Sequence, residues 1–148
     1  MSITDPQTHT YGADQVLVVF GPYSLEGRAP DTFCVVDRAE DSFKTVVGAD
    51  GEVTRVRNLK RHGTITVTLM QTAKVNADLQ AQLLLDEATP NGLSIWPALV
   101  KDYDGNVLWT ADESWLQKPA KSELGAEVGT REWVIACAQL NAPLPAHA

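Results

Sequence analysis

The stretch Val47–Thr72, VGADGEVTRVRNLKRHGTITVTLMQT, decides how this chain folds. It begins with a glycine-containing turn, passes through a run of positive charges, and ends in a strict alternation. Side chains of a strand point to opposite faces in turn. Ile65, Val67 and Leu69 therefore share one face, and Thr64, Thr66 and Thr68 share the other. The first face suits a core. The second is short, polar, uncharged and β-favouring, which suits a smooth wetted surface better than a catalytic one.

The segment before it reads as a hairpin. Asp50-Gly51 favours a tight turn, with Asp41–Val47 and Glu52–Arg57 as its strands. The return strand places Glu52, Thr54 and Val56 on one face and Val53, Arg55 and Arg57 on the other. Neither face is core material. Such a hairpin is either solvated or packed on another chain.

Further strands are expected at Gln15–Phe20, Thr32–Asp37, Leu93–Lys101, Val107–Thr110 and Thr130–Leu140. Pro97 points to an edge or a bulge. One good helix is expected over Asn76–Ala88, with Asn76 as N-cap, Asp78 in the first turn, and Leu79 and Leu83 inward. Ala111–Glu127 is polar around Trp115 and Leu116 and reads as irregular. Trp115 is the tryptophan expected to meet a partner. The sum is a mainly β, antiparallel domain with one flanking helix, spanning residues 1–148. Residues 1–13 form an arm and 141–148 a tail, both loosely ordered or ordered by a partner.

The bulk properties fit one domain. The chain has 148 residues, 44% apolar and 21% charged, ordinary globular values. Its net charge of −7 argues against a broad basic surface that coats nucleic acid. No apolar run is long enough to span a membrane, and the polar N-terminus holds no signal-peptide core. Assembly in a cytoplasm is expected. Cys34 and Cys137, each within an apolar run, read as small buried hydrophobes.

Catalytic and metal motifs fail. There is no phosphate-binding loop, dinucleotide fingerprint, HExxH or GxSxG. His9 and His147 lie near the termini, and His62 reads as a loop residue beside Lys60 and Arg61. Asp102, Asp104, Asn106 and Glu113 mimic a calcium loop, but Val107 stands where that loop requires glycine. No cofactor, metal or enzymatic activity is expected. Arg55, Arg57, Lys60 and Arg61 make a basic cluster in an acidic chain. Such a pattern suits contact between identical copies better than nucleic-acid binding, which would interleave aromatics.

The same run, followed by NADLQAQL, resembles the tail tube proteins of contractile-tailed bacteriophages. The segments YGADQVLVVFGPYSLEGRAPDTF and VKDYDGNVLW fit the same pattern, and the likeness covers roughly Tyr11–Gln139. The resemblance implies a β-sandwich or partial barrel that assembles into hexameric rings. The rings stack into the inner tube of the virion tail, where one sheet of each subunit lines the lumen. Implied partners are further copies of the chain, the tail sheath, baseplate and tail terminator proteins, and an enclosed tape-measure protein. DNA is met only in passage, and no membrane is bound. On this basis Thr64, Thr66 and Thr68 face the lumen, while Lys44, Asp50, Glu52 and Arg55 make inter-subunit or inter-ring contacts. Two alternatives remain beside it: a ring protein like the type VI secretion tube, and a monomeric β-barrel that binds a ligand.

Overall fold

The structure, a computed structural model, describes residues 16–26, 33–90, 95–102, 107–122 and 125–143. Its strands are β1 (Val16–Phe20), β2 (Tyr23–Ser24), β3 (Cys34–Arg38), β4 (Phe43–Val47), β5 (Val53–Arg57), β6 (Gly63–Met70), β7 (Trp96–Asp102), β8 (Val107–Leu116), β9 (Lys121–Ser122) and β10 (Thr130–Cys137). The single helix among the described residues, α1, runs Val75–Ala88. Eight strands form one antiparallel sheet in the order β2-β1-β7-β8-β10-β6-β3, with β9 beside β10. β4 and β5 stand apart as a two-stranded hairpin. The sheet does not close into a barrel, which removes the monomeric closed-barrel form.

Alternation builds the core. β6 is buried at every second residue, with Ile65, Val67 and Leu69 fully enclosed. Its neighbour β10 does the same through Trp133, Ile135 and Cys137, and β1 through Val16, Val18 and Phe20. Leu79 and Leu83 from α1 complete this cluster, with Val75 one turn earlier. The spacing of four keeps these three on one helical stripe.

Polar bonds fix the helix against the sheet. The Trp133 indole Nε1 donates to Asn76 Oδ1 at 3.0 Å. Asn76 Nδ2 donates to the Met70 carbonyl at 2.9 Å, which closes the turn out of β6. Tyr23 Oη donates to Gln82 Oε1 at 3.1 Å. Asn76 is therefore no N-cap. That position falls to Lys74, without a side-chain cap bond. The amide of Asn76 is spent on joining β6, α1 and β10.

β8 is longer than the sequence suggested. It continues past Thr110 to Leu116, so part of the expected irregular stretch is strand. It pairs with β7 from Val107 to Ser114, and its end, Ser114–Leu116, pairs with β10 on the other side. A register shift between Trp96 and Ala98 puts two consecutive residues, Asp112 and Glu113, on the surface. Such a bulge breaks the period-two pattern on which a strand is recognised. Pro97 lies at this same irregularity, which lets a proline sit inside a central strand.

Candidate assembly site

Two surfaces carry the residues singled out from the sequence. The first is the sheet face behind the core. The β6 register places Thr64 beside Asp37 and Ala136, Thr66 beside Val35 and Val134, and Thr68 beside Glu132. All three threonines are half-buried. Over the outward positions of β3, β6 and β10 the ionisable side chains are Asp37 and Glu132, and Lys121 of β9 lies directly opposite Glu132. Trp115, opposite Ala136, extends this face and is 36% exposed.

The second surface is the hairpin. Every residue of β4 and β5 is exposed. Directly paired residues of an antiparallel ladder share a face. The register therefore puts Phe43, Thr45, Val47, Val53, Arg55 and Arg57 together, with Lys44, Val46, Thr54 and Val56 on the reverse. Val47 and Val53 are more than 60% exposed at the far end. A lone two-stranded ribbon is marginal in water, and monomers seldom leave such apolar runs open. Both faces of this ribbon lack a covering layer among the described residues.

Its root is nevertheless well held. Asn58 N donates to the Ser42 carbonyl at 2.8 Å, and Asn58 Nδ2 to the Asp41 carbonyl at 3.0 Å. Arg38 reaches from β3 to Ser42 Oγ at 3.2 Å and to the Leu140 carbonyl at 2.8 Å. Its far turn is ordered too. Gly48 N donates to the Glu52 carbonyl at 2.7 Å, and Glu52 N to Asp50 Oδ1 at 3.3 Å. Gly51 has φ +88°, a backbone shape that glycine adopts without strain.

The hairpin thus sorts its charges. Asp50 and Glu52 sit together at the turn. Arg55 lies nearer the root, its guanidinium 4.3 Å from the Phe43 ring centroid. Lys44 is on the opposite face, so the structure does not join it to Arg55. At the root, Ser42, Phe43, Arg55, Arg57, Asn58 and Arg61 line a groove of about 390 Å³. The sequence had grouped these arginines as a basic cluster. It did not reveal the groove, because Arg61 comes from the loop beyond β5. Lys60 turns instead toward Glu40, at 3.9 Å.

No metal-binding cluster of His, Cys, Asp or Glu occurs among the described residues. The calcium-like run lies partly outside those residues. Cys137 is buried and free, its thiol pKa pushed up to about 11 by burial.

An open antiparallel sheet with one helix and an exposed charged hairpin, among the described residues, agrees with known tail proteins. The bacteriophage PhiTE tail tube protein family matches residues 20–145. The chain belongs to that family. As a tail tube family member it is a structural protein and not an enzyme. It is 30% identical over 135 residues to the structural protein ORF10 of Pseudomonas phage KPP10, covering 87% of this chain and 78% of that protein. The fold is shared with solved structures at low identity. A chain of the extracellular contractile injection system PVC sheath-tube complex in its extended state superposes with TM-score 0.64 at 10% identity, covering 91% of the tail tube chain and 93% of the other. The PVC sheath/tube terminator gives TM-score 0.62 at 9% identity, with 93% and 99% covered. The tube-terminating cap of the anti-feeding prophage gives 0.58 at 13%, with 95% and 97% covered.

Proposed function

We propose that the chain forms hexameric rings that stack into the inner tube of a contractile phage tail. In this reading the tube is enclosed by the sheath, is bounded by baseplate and terminator proteins, surrounds the tape-measure protein, and conducts DNA into the host. Subunits assemble in the host cytoplasm before entering the virion. Thr64, Thr66 and Thr68 line the lumen. Lys44, Asp50, Glu52 and Arg55 act at joints between copies, with the hairpin reaching the next ring.

The observation that carries this reading is the hairpin without a covering layer. Its root is fastened to the sheet, yet both its faces are open. A further copy of the chain would bury them, and cyclic or stacked assembly needs such unlike, complementary patches. The threonine face supports the lumen assignment. Asp37 and Glu132 flank the threonines, and Lys121 of β9 is paired with Glu132, so the face carries no net positive charge to hold phosphate. Among the described residues β3 and the two-residue β2 end the sheet, which suits pairing with neighbours within a ring.

Light scattering and negative-stain electron microscopy of the purified chain test the assembly. Rings or rods are expected, and a monomer at every concentration would contradict it. The lumen is tested by Thr66→Cys. A bulky maleimide should label this residue slowly in rods and quickly in dissociated subunits, above the background of the half-buried Cys34. Equal rates would place the face elsewhere.

A further inference from the structure

We infer that the acidic turn of one hairpin, Asp50 with Glu52, seats in the arginine groove at the hairpin root of a copy in the next ring. The inference rests on the stacked-ring reading above and names the contact that joins its rings.

The groove is built for anionic oxygens. Arg55, Arg57 and Arg61 converge on it with Asn58 and Ser42. None of the three guanidiniums has a carboxylate partner among the described residues. Phe43 forms an apolar wall and holds Arg55 by its stacking contact. Guanidinium forks bind carboxylates in paired, charge-assisted hydrogen bonds, stronger than neutral ones. In a chain of net charge −7, copies repel on average, so a local positive recess is where an acidic element of a like chain can dock.

The turn is the matching element. Asp50 Oδ1 accepts from Glu52 N and Gly48 N donates to the Glu52 carbonyl, so both carboxylates sit on an ordered turn. Less ordering is then required on docking. Gly51 between them has open space around it, which keeps the tip narrow.

The contact must come from another copy. Turn and root lie at opposite ends of strands five residues long. At roughly 3.3 Å per residue this separates them by about 16 Å, and a paired ribbon cannot fold back on itself. Tip to root is a head-to-tail contact, which propagates along a stack. Apolar Val47 and Val53 beside the tip would be covered in the same step.

The test uses two double variants, Asp50→Arg with Glu52→Arg, and Arg57→Glu with Arg61→Glu. All four positions are exposed, so both variants should melt like the wild type. Under conditions in which the wild type makes rods, each variant alone should give rings that stack only at concentrations higher by about tenfold or more. Mixed in equal amounts, the two should make rods again, since reversed tips meet reversed grooves. Rods from either variant alone at wild-type concentrations would overturn the inference while leaving the tube intact. Folded variants whose mixture fails to stack would overturn it too. Loss of duplex-DNA retention by the groove variant with stacking unchanged would assign the groove to phosphate instead. A wild type that makes neither rings nor rods would defeat the tube reading itself, a separate result.

Discussion

Arg55 reaches diagonally across the hairpin and lays its guanidinium over the ring of Phe43, 4.3 Å from the centroid. Both residues are exposed, so the contact adds little to folding; cation–π pairs at such sites contribute about 0.5–1 kcal/mol. Its value lies in presentation. Phe43→Ala and Arg55→Ala should each change stability by no more than about 1 kcal/mol in chemical denaturation. Each should also weaken rod formation seen by electron microscopy. A large loss of stability would mean that the hairpin packs on its own chain.

Asn76 tests the junction of helix and sheet. Asn76→Ala strands the buried indole N–H of Trp133 and frees the Met70 carbonyl. A loss of about 1–3 kcal/mol is expected in urea unfolding. An N-cap residue replaced by alanine would cost about 1 kcal/mol as well. The two roles separate in the double variant Asn76→Ala/Trp133→Phe, which should lose less than the sum of the single changes. Additive losses would disconnect the two side chains.

Gly63 opens β6 where backbone crowds it. A methyl group there would meet the Asp37 carbonyl and the Leu140 side chain well inside contact distance. Gly63→Ala should therefore destabilise by about 1–3 kcal/mol through forced backbone movement. Calorimetry should record a lower Tm than for the wild type. Gly51→Ala should be tolerated sterically and strained only through its φ of +88°. Equal stability of wild type and Gly63→Ala would show that β3 and β6 can part without cost.

Cys137 gives the chain a pH dependence of defined sign. Its thiol pKa rises from 9.0 to about 11 because burial disfavours the thiolate. Below pH 9 folded and unfolded chains both hold the thiol proton. Above it the unfolded thiol ionises first, so stability falls between pH 9 and 11. The drop should be steeper in the wild type than in Cys137→Ala. Alkylation at Cys137 should likewise wait for unfolding. Parallel pH profiles for the two proteins would contradict the assignment.

The sequence carried much of this fold because alternation survives wherever one face is buried. Ile65, Val67 and Leu69 are enclosed as their spacing predicts, and the hairpin strands fall inside their expected ranges. The family resemblance on the same run also held. What stayed hidden is tertiary. The bulge at Asp112 and Glu113 removes the alternation that would have extended β8. Asn76 looks like a cap because a helix follows it, yet its partner Trp133 lies far along the chain. The arginine groove needs Arg61 brought back against β4 and β5, which linear spacing does not encode. Charge type was legible at the candidate joint, whereas the separation of acidic tip from basic root required the ladder register.

Cryo-electron microscopy of assembled particles, carried to a helical reconstruction, measures the central claim most directly. The account predicts stacked rings of six subunits, with Thr64, Thr66 and Thr68 of β6 on the lumen wall and each hairpin crossing to the next ring. A reconstruction with the threonine face on the outer wall, or with hairpins exposed between rings that do not touch, would contradict it.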